Sequence, residues 1–173
     1  MLCSEIAMKN LVLVLMLALA GCYAEFDWRE IRPVDAGFTV SLPGRPTYEG
    51  RALSGERAGL TMHLWSAKVG NTVFAAGYVD SPVADAQLVD GLRDALVKNI
   101  GGRIVSEREV RSGNAAGRET VADGSAGGAS VELRLRLYAA GARVYQVVAL
   151  GRKDAVPAAE MENFFDSFRL ARP

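Results

Sequence analysis

Cys22 is the residue whose type and position most clearly predict chemistry in this chain. Leu11–Ala20 is an unbroken run of ten apolar residues, Lys9 precedes it, and Gly21 separates it from the cysteine. A basic start, a short apolar run and small residues at the end are the layout of an export signal. The run is too short for a membrane-spanning helix, which takes about 20 apolar residues. We therefore expect residues 1–21 to be a signal peptide.

The last four residues of this segment, Leu19, Ala20, Gly21 and Cys22, resemble the lipobox of bacterial lipoproteins. In those proteins the cysteine is acylated and becomes the mature N-terminus, so the resemblance implies a lipidated Cys22. One acyl chain binds a membrane only marginally, whereas two or more anchor a protein stably. An alternative stays open, because Ala18-Leu19-Ala20 is also an A-x-A cleavage site that would release a soluble protein beginning at Gly21.

The residues around the cysteine also predict where the chain starts and where it is held. Met8-Lys9-Asn10 is a more typical start of a signal peptide than Met1, which leaves Met8 open as the true start. Asp after the lipidated cysteine is associated with retention in the inner membrane of Gram-negative bacteria. Tyr23 stands there instead, so the resemblance implies the periplasmic face of the outer membrane. Residues 22–27 are then a short tether, without a long flexible spacer.

The folded part, residues 28–173, is expected to be one domain held together by its core alone. Both cysteines, Cys3 and Cys22, lie within or directly after the predicted signal peptide, so the domain has no disulfide. A domain of about 150 residues buries roughly 68–70% of its unfolded surface, which is enough. The 20 basic and 20 acidic residues cancel, so no field of one sign attracts nucleic acid. The composition therefore disfavours a nucleic-acid partner.

The residue types that carry catalysis or bind metals do not form a recognisable set. His63 is the single histidine, and a Ser-His-Asp site would need it, yet no G-x-S-x-G motif occurs. Nothing has the spacing of zinc ligands. The Gly-rich segment 123–128 lacks the Gly-Lys-Ser/Thr ending of a P-loop, which favours a flexible hairpin loop. We expect His63 on a strand surface, no metal or cofactor, and a protein that is not an enzyme.

The first half of the domain alternates like strands and then changes to a helical period. Phe38–Leu42 predicts a strand that ends at Pro43-Gly44, and Arg45–Gly59 is expected to be irregular. Leu60–Ala67 and Thr72–Asp80 predict a hairpin whose second strand is covered on both faces. A leucine recurring every fourth residue then predicts an amphipathic helix over Pro82–Ile100, capped by Ser81-Pro82.

The second half predicts further hairpin strands and a closing helix. Val131–Tyr138 alternates between an apolar face and a face expected to be wet. Arg134, Arg136 and Arg143 would form a basic patch if the register brings them together, and cross-strand pairing with Glu132 and other acids is favoured. Asp154–Ser167 predicts a helix. The order predicts a single α+β domain with a largely antiparallel sheet flanked by two main helices.

Four segments of this pattern resemble a widespread set of bacterial envelope proteins with a PsbP-like domain. They are Phe38–Pro46, Gly117–Glu119, Arg143–Val148 and Phe164–Leu170. PsbP is the extrinsic subunit of photosystem II, and the DcrB and LpqN lipoproteins are similar to it in fold. The resemblance implies an antiparallel sheet sandwiched by helices. It carries over no catalytic residue, and members of the set bind partner proteins or assist envelope complexes.

Two kinds of function remain after this reading. The first is a membrane-anchored envelope lipoprotein with a non-catalytic accessory role, whose partner is another envelope protein. The second is a periplasmic carrier that holds a small apolar ligand or lipid between the helix over Pro82–Ile100 and the sheet. A carrier needs an apolar pocket of about 300 Å³ or more with polar groups at its mouth. A filled core with an exposed aromatic patch favours a protein partner.

Overall fold

The computed structural model describes residues 25–53 and 59–171. Leu19, Ala20, Gly21 and Cys22, which carry the predicted cleavage and lipidation, lie outside the described residues. The strands and helices within the described ranges are β1 Trp28–Ile31, β2 Phe38–Pro43, β3 Thr47–Ala52, β4 Thr61–Val69, β5 Thr72–Asp80, α1 Ala86–Asn99, β6 Arg103–Ser112, β7 Ala115–Ala126, β8 Ala129–Ala140, β9 Arg143–Gly151, α2 Ala158–Ser167 and β10 Arg169–Leu170.

The main sheet has seven antiparallel strands in the order β3-β4-β5-β9-β8-β7-β6. A smaller sheet, in the order β1-β2-β10, packs against it. The predicted fold class, a single α+β domain with a largely antiparallel sheet and two main helices, is confirmed. No helix among the described residues is long and apolar enough to cross a membrane.

The sheet has a hydrophobic core on each face, which explains why its central strands are apolar on both sides. Helix α1 covers one face. The buried residues of that core are Val79, Leu92, Val97, Ile100, Ala122, Val131, Leu133, Leu135, Leu137 and Val144. The small sheet and α2 cover the other face. The buried residues there are Ala36, Phe38, Val40, Leu42, Ala67, Phe74, Ala76, Tyr78, Tyr138, Tyr145, Val147, Ala149, Phe164, Phe165 and Phe168.

Three local predictions were wrong. Residues 45–59 contain a strand, β3, which the sequence hides because all six of its residues are exposed. Helix α1 begins at Ala86 and is capped by Asp85, whose carboxylate accepts a hydrogen bond from Leu88 N at 2.9 Å. Ser81 bonds Val83 instead. Helix α2 begins at Ala158, because Asp154 has a φ of 58° and Pro157 is extended.

The face of β8 that was expected to be wet is buried in its second half. Arg136 is 7% exposed and Tyr138 is 1% exposed, because the second layer of the domain covers them. The register also separates Arg143 from Arg134 and Arg136, so the basic patch that depended on it does not form. Arg143 lies opposite Ala140, whereas Arg136 lies opposite Val147. The cross-strand pairing with acids exists, but its centre is Glu119 rather than Glu132.

Glu119 on β7 is the centre of a buried ion-pair network on this face. It is 3% exposed and lies directly between Arg108 on β6 and Arg136 on β8 in the register. Arg108 Nε donates to one carboxylate oxygen at 2.7 Å, and Arg136 Nε donates to the other at 2.6 Å. Burial by itself would raise the pKa of Glu119, but these two hydrogen bonds outweigh it and hold the pKa below its usual value.

Arg136 carries the network from the sheet to α2. Its Nη1 donates to the carbonyl of Phe165 and to the carboxylate of Asp166, both at 3.1 Å. These groups lie in the last turn of α2, where free carbonyls favour a cation. The guanidinium also lies 5.0 Å from the centre of the Phe165 ring. One arginine therefore neutralises a buried carboxylate and fixes the end of a helix against the sheet.

Replacing Arg136 by methionine is expected to destabilise the domain by about 3 kcal/mol, because Glu119 is left buried with a reduced set of partners. Chemical denaturation measures this free energy of unfolding. Arg118→Met is the matched control, because Arg118 is an exposed neighbour that pairs with Asp90; its cost is expected to be about 1 kcal/mol or less. Adding Glu119→Leu to Arg136→Met is expected to recover stability. Equal costs for the two single variants would contradict the role of Arg136.

Glu119 also predicts an acid dependence of stability. Its pKa is lowered in the folded state, so its contribution is complete above the unfolded value of about 4.3 and is lost as the pH falls through the folded value. Unfolding free energies measured from pH 7 to pH 3 are therefore expected to fall more steeply below about pH 4.3 in the wild type than in Glu119→Gln. Parallel curves for the two proteins would contradict this prediction.

Candidate interaction surface

An aromatic surface lies at the β3 edge of the main sheet, and we call Tyr48, His63, Trp65, Tyr78 and Arg143 the aromatic patch. The register explains how it forms. Tyr48 lies opposite Trp65, and His63 lies opposite Tyr78. Because directly opposite residues share a face, four rings from three strands meet on one side of the sheet. The predicted position of His63, on a strand surface, is confirmed.

The rings of the patch contact one another in sequence from the edge inward. Tyr48 is 56% exposed, and its ring centre lies 4.9 Å from that of Trp65. His63 stacks on Tyr78 with 4.8 Å between ring centres. The guanidinium of Arg143 lies 4.2 Å from the centre of the Tyr78 ring, which is a cation–π contact. The patch thus combines exposed aromatic area with a fixed cation.

His63 has a polar neighbour at each of its ring nitrogens. Its Nδ1 lies 2.8 Å from the Tyr48 hydroxyl, and its Nε2 lies 3.4 Å from a carboxylate oxygen of Asp80. The Tyr48 hydroxyl can donate to Nδ1 in the tautomer whose hydrogen is on Nε2. The ring orientation is therefore fixed, and His63 acts as a structural member of the patch.

Asp80 connects the histidine to the arginine. Arg143 Nε donates to the other carboxylate oxygen of Asp80 at 2.9 Å, and Arg143 Nη1 donates to the carbonyl of Asp35 at 2.6 Å. Burial raises the pKa of Tyr78, while the charge of Arg143 acts in the opposite direction. The net pKa is raised, so the phenol stays neutral. The patch presents one guanidinium and the neutral Tyr78 ring beside a shared carboxylate.

Gly50 makes the contact between Tyr48 and His63 sterically possible. Gly50 lies opposite His63, and the Tyr48 side chain leans over it. A Cβ placed at Gly50 would lie 2.8 Å from the Tyr48 hydroxyl, which is too close. The glycine in the middle of β3 is thus explained by the approach of a neighbouring ring, as expected for a glycine inside a strand.

A second surface feature is a groove between α1 and the strands β6–β8, with a volume of about 590 Å³. Val89, Leu137 and Ala139 contribute apolar lining, and Asp90 and Arg118 lie at its polar side. These two charged groups pair at 3.2 Å. The groove lies between the helix and the sheet, which is where the alternative carrier hypothesis requires a ligand site.

The remaining candidates from the sequence are structural in the described residues. The Gly-rich segment belongs largely to β7, and its turn consists of Gly127 and Gly128, with φ of 58° and 81°. Such angles suit a two-residue hairpin turn, so the prediction of a hairpin is confirmed with a shorter loop. Within residues 25–53 and 59–171, no three His, Cys, Asp or Glu side chains form a group that could hold a metal ion.

Most of the aromatic patch has no local signal in the sequence. His63 and Trp65 share one predicted strand, but the segment containing Tyr48 has no strand pattern, so the ring that completes the patch is not predicted. Asp80 and Arg143 are 63 residues apart in sequence. A usable signal was the aromatic residue two positions before Gly50, a spacing that places a ring over a glycine on one face of a strand.

The fold can now be compared with known proteins. Cyanobacterial PsbP (CyanoP) from Synechocystis sp. PCC 6803 superposes with a TM-score of 0.57 and 8% identity, over 88% of this chain and 99% of that one. The fold is PsbP-like. At this identity the likeness concerns the fold alone.

More distant matches and sequence comparisons add no further argument. PA94 from Pseudomonas aeruginosa, a protein of unknown function, gives a TM-score of 0.44 and 13% identity over 78% of this chain and 89% of that one. That similarity is too low to support a conclusion. No protein family matches the sequence, and no curated protein matches it either.

Gly50→Ala is expected to move Tyr48 and break its hydrogen bond to His63, because the added methyl group would lie only 2.8 Å from the hydroxyl oxygen. Nitrogen chemical shifts of the His63 ring measure this, with the Nδ1 signal changing as it loses its donor. Tyr48→Phe is the matched variant, because it removes the same donor without adding bulk. If Gly50→Ala leaves the histidine signals unchanged while Tyr48→Phe shifts them, the steric explanation of Gly50 is wrong.

Proposed function

We propose that this protein is a lipid-anchored envelope protein with a non-catalytic accessory role, and that the aromatic patch contacts a partner protein of the envelope. The lipobox-like segment ending at Cys22 supports the anchor. The observation that carries the interaction role is the exposed Tyr48 ring supported by ordered neighbours. Aromatic residues and arginine are enriched in protein interfaces and among the residues that dominate their binding energy.

The packing of the patch supports a recognition role over a merely solvated surface. Tyr48 is oriented by its contact with Trp65 and its hydrogen bond to His63. Arg143 is fixed by Asp80 and by the Tyr78 ring. A partner that docks here would therefore immobilise few additional side chains, which lowers the entropic cost of binding.

The start of the described chain supports a domain held close to the membrane. Phe26 stacks on Trp28 with 5.8 Å between ring centres, and the carbonyl of Asp27 accepts a hydrogen bond from Gly44 N at 2.7 Å. Phe26, four residues after Cys22, is therefore already part of the packed domain. Four residues reach at most about 14 Å when fully extended. An acylated Cys22 would keep the domain within that distance of the bilayer surface.

The groove favours the second candidate function, a carrier for a small apolar ligand or lipid. Its volume is within the range of ligand sites, and its lining combines apolar side chains with a few charged groups. It is open rather than enclosed, so a ligand would keep much of its surface in water. The aromatic patch, with its oriented cation and exposed ring, therefore supports the protein-binding role better.

A photocrosslinking amino acid in place of Tyr48 tests the proposed role in intact cells. We expect a discrete adduct with another envelope protein in the membrane fraction, which mass spectrometry distinguishes from an adduct between two copies of this chain. Val105, which is exposed on the opposite edge of the sheet, is the matched control position and is expected to give no such adduct. The same adducts from both positions, or none from position 48, would contradict an interaction through the patch. An apolar ligand copurifying with the protein and detected by native mass spectrometry would favour the carrier.

A further inference from the structure

We propose that β3 pairs antiparallel with β3 of a second copy of this chain, in a symmetric register centred on Gly50. The proposed function concerns the side chains of the aromatic patch and a different protein. This inference concerns the backbone edge beside the patch and requires neither the anchor nor the envelope partner.

The two edges of the main sheet differ in how they are protected. Strand β6 carries charged residues along its length and is interrupted by an irregularity between Ile104 and Ser106. Such a bulge disturbs the ladder that a further strand would need. Strand β3 pairs with β4 from Thr47 to Ala52 without any shift of register. Its outer side is a regular row of backbone donors and acceptors.

The hydrogen-bond phase of β3 fixes which residues face outward. Leu53 N donates to the carbonyl of Leu60 at 2.8 Å, so residues 53, 51, 49 and 47 direct their backbone groups toward β4. In an antiparallel ladder the alternate residues point the other way. Tyr48, Gly50 and Ala52 therefore have N–H and C=O groups directed away from β4.

A symmetric pairing centred on Gly50 uses all of these outward groups. Gly50 lies opposite Gly50 of the second copy, and Tyr48 lies opposite Ala52 of the second copy. Each of these pairs exchanges two backbone hydrogen bonds. Moving the centre to Glu49 or Arg51 would still pair outward groups with one another, but it would place two Glu49 or two Arg51 side chains directly opposite each other. The backbone phase and the charges together therefore select this register.

The same register makes the side chains complementary. Glu49 of each copy lies directly opposite Arg51 of the other, giving two opposite-charge pairs across the interface. Both side chains are about two-thirds exposed, and their own pairing within the chain is loose, at 3.9 Å. At the centre, the two glycines bring no side chains that could clash. The charges and the shape of β3 are thus complementary to β3 of a second copy.

The two-fold axis of such a pair is perpendicular to the sheet. Both copies therefore keep the same face on the same side, including the aromatic patch and the layer that contains Phe26 and Trp28. The result is one continuous fourteen-stranded sheet, since each copy contributes seven strands. A single six-residue strand makes a small interface, below about 1,200 Å², so the association is expected to be weak and reversible.

Charge exchange on β3 tests the proposal in solution. The full chain with Cys3→Ser and Cys22→Ser is expected to show a concentration-dependent monomer–dimer equilibrium in sedimentation velocity. Glu49→Arg is expected to remove the dimer, because Arg then faces Arg51 of the other copy twice. Adding Arg51→Glu restores opposite charges and is expected to restore the dimer. Circular dichroism serves as the folding control, because both positions are exposed.

Disulfide trapping tests the register itself. Opposite residues at positions without mutual backbone hydrogen bonds have Cα atoms about 4.5 Å apart, within the range of a disulfide. Mixing Glu49→Cys protein with Arg51→Cys protein under mild oxidation is therefore expected to give a mixed disulfide. Mixing Thr47→Cys with Glu49→Cys, which the register separates by about 14 Å, is the control and is expected to give none.

Three results would overturn the proposal. The first is a chain with Cys3→Ser and Cys22→Ser that stays monomeric at every concentration, together with Glu49→Cys and Arg51→Cys proteins that give no mixed disulfide. The second is a Glu49→Arg chain that dimerises as well as the wild type, which would assign the contact to another surface. The third is a control pair that forms disulfides as readily as the pair at positions 49 and 51, which would exclude this register.

Discussion

The buried pair of Glu119 and Arg136 is the interaction on which the arrangement of the layers depends. A carboxylate that is 3% exposed must be ionised beside fixed donors or be neutralised, because an unpaired buried charge is very costly. Glu119 obtains its donors from the strands on both sides, and Arg136 uses its remaining N–H groups on the end of α2. The pair thus fixes the order of three strands and the position of a helix together.

The position of α2 in turn places the small sheet and the start of the domain. Ser167 at the end of α2 accepts a hydrogen bond from Ser41 N, which joins the helix to β2. Trp28 Nε1 donates to Glu160 at the other end of the helix. The chain therefore enters the domain on the layer that α2 organises. The aromatic patch lies on the same face of the main sheet, near its free edge.

The sequence predicted the parts of the structure where one face of an element is apolar and the other polar. The strand over Val131–Tyr138 and the helix α1 were predicted because burial of one face makes apolar residues recur at a regular spacing. Strand β3 has no buried residue, so no such period exists, and its pairing with β4 is a property of the backbone. The role of Glu119 could not be predicted either, because only the register of the strands places Arg108 and Arg136 beside it.

The aromatic patch was less predictable than the fold, because strand pairing between distant segments brings its residues together. Tyr48, His63 and Asp80 belong to three different strands, and no local pattern indicates that their side chains meet. The basic patch, which was conditional on register, does not form, because Arg143 lies opposite Asp80 on β5 and four residues along β9 from Val147, which lies opposite Arg136. Register, which depends on turns and packing as much as on residue type, decides which charges become neighbours.

The central claim, that the domain is attached to a membrane through Cys22, is tested most directly by the intact mass of the protein extracted from membranes. The account predicts a mass equal to residues 22–173 plus acyl groups, and predicts that Cys22→Ser loses both the added mass and the membrane fractionation. An unmodified protein beginning at Gly21 in the soluble fraction would contradict the anchor and would make a diffusible carrier the better explanation.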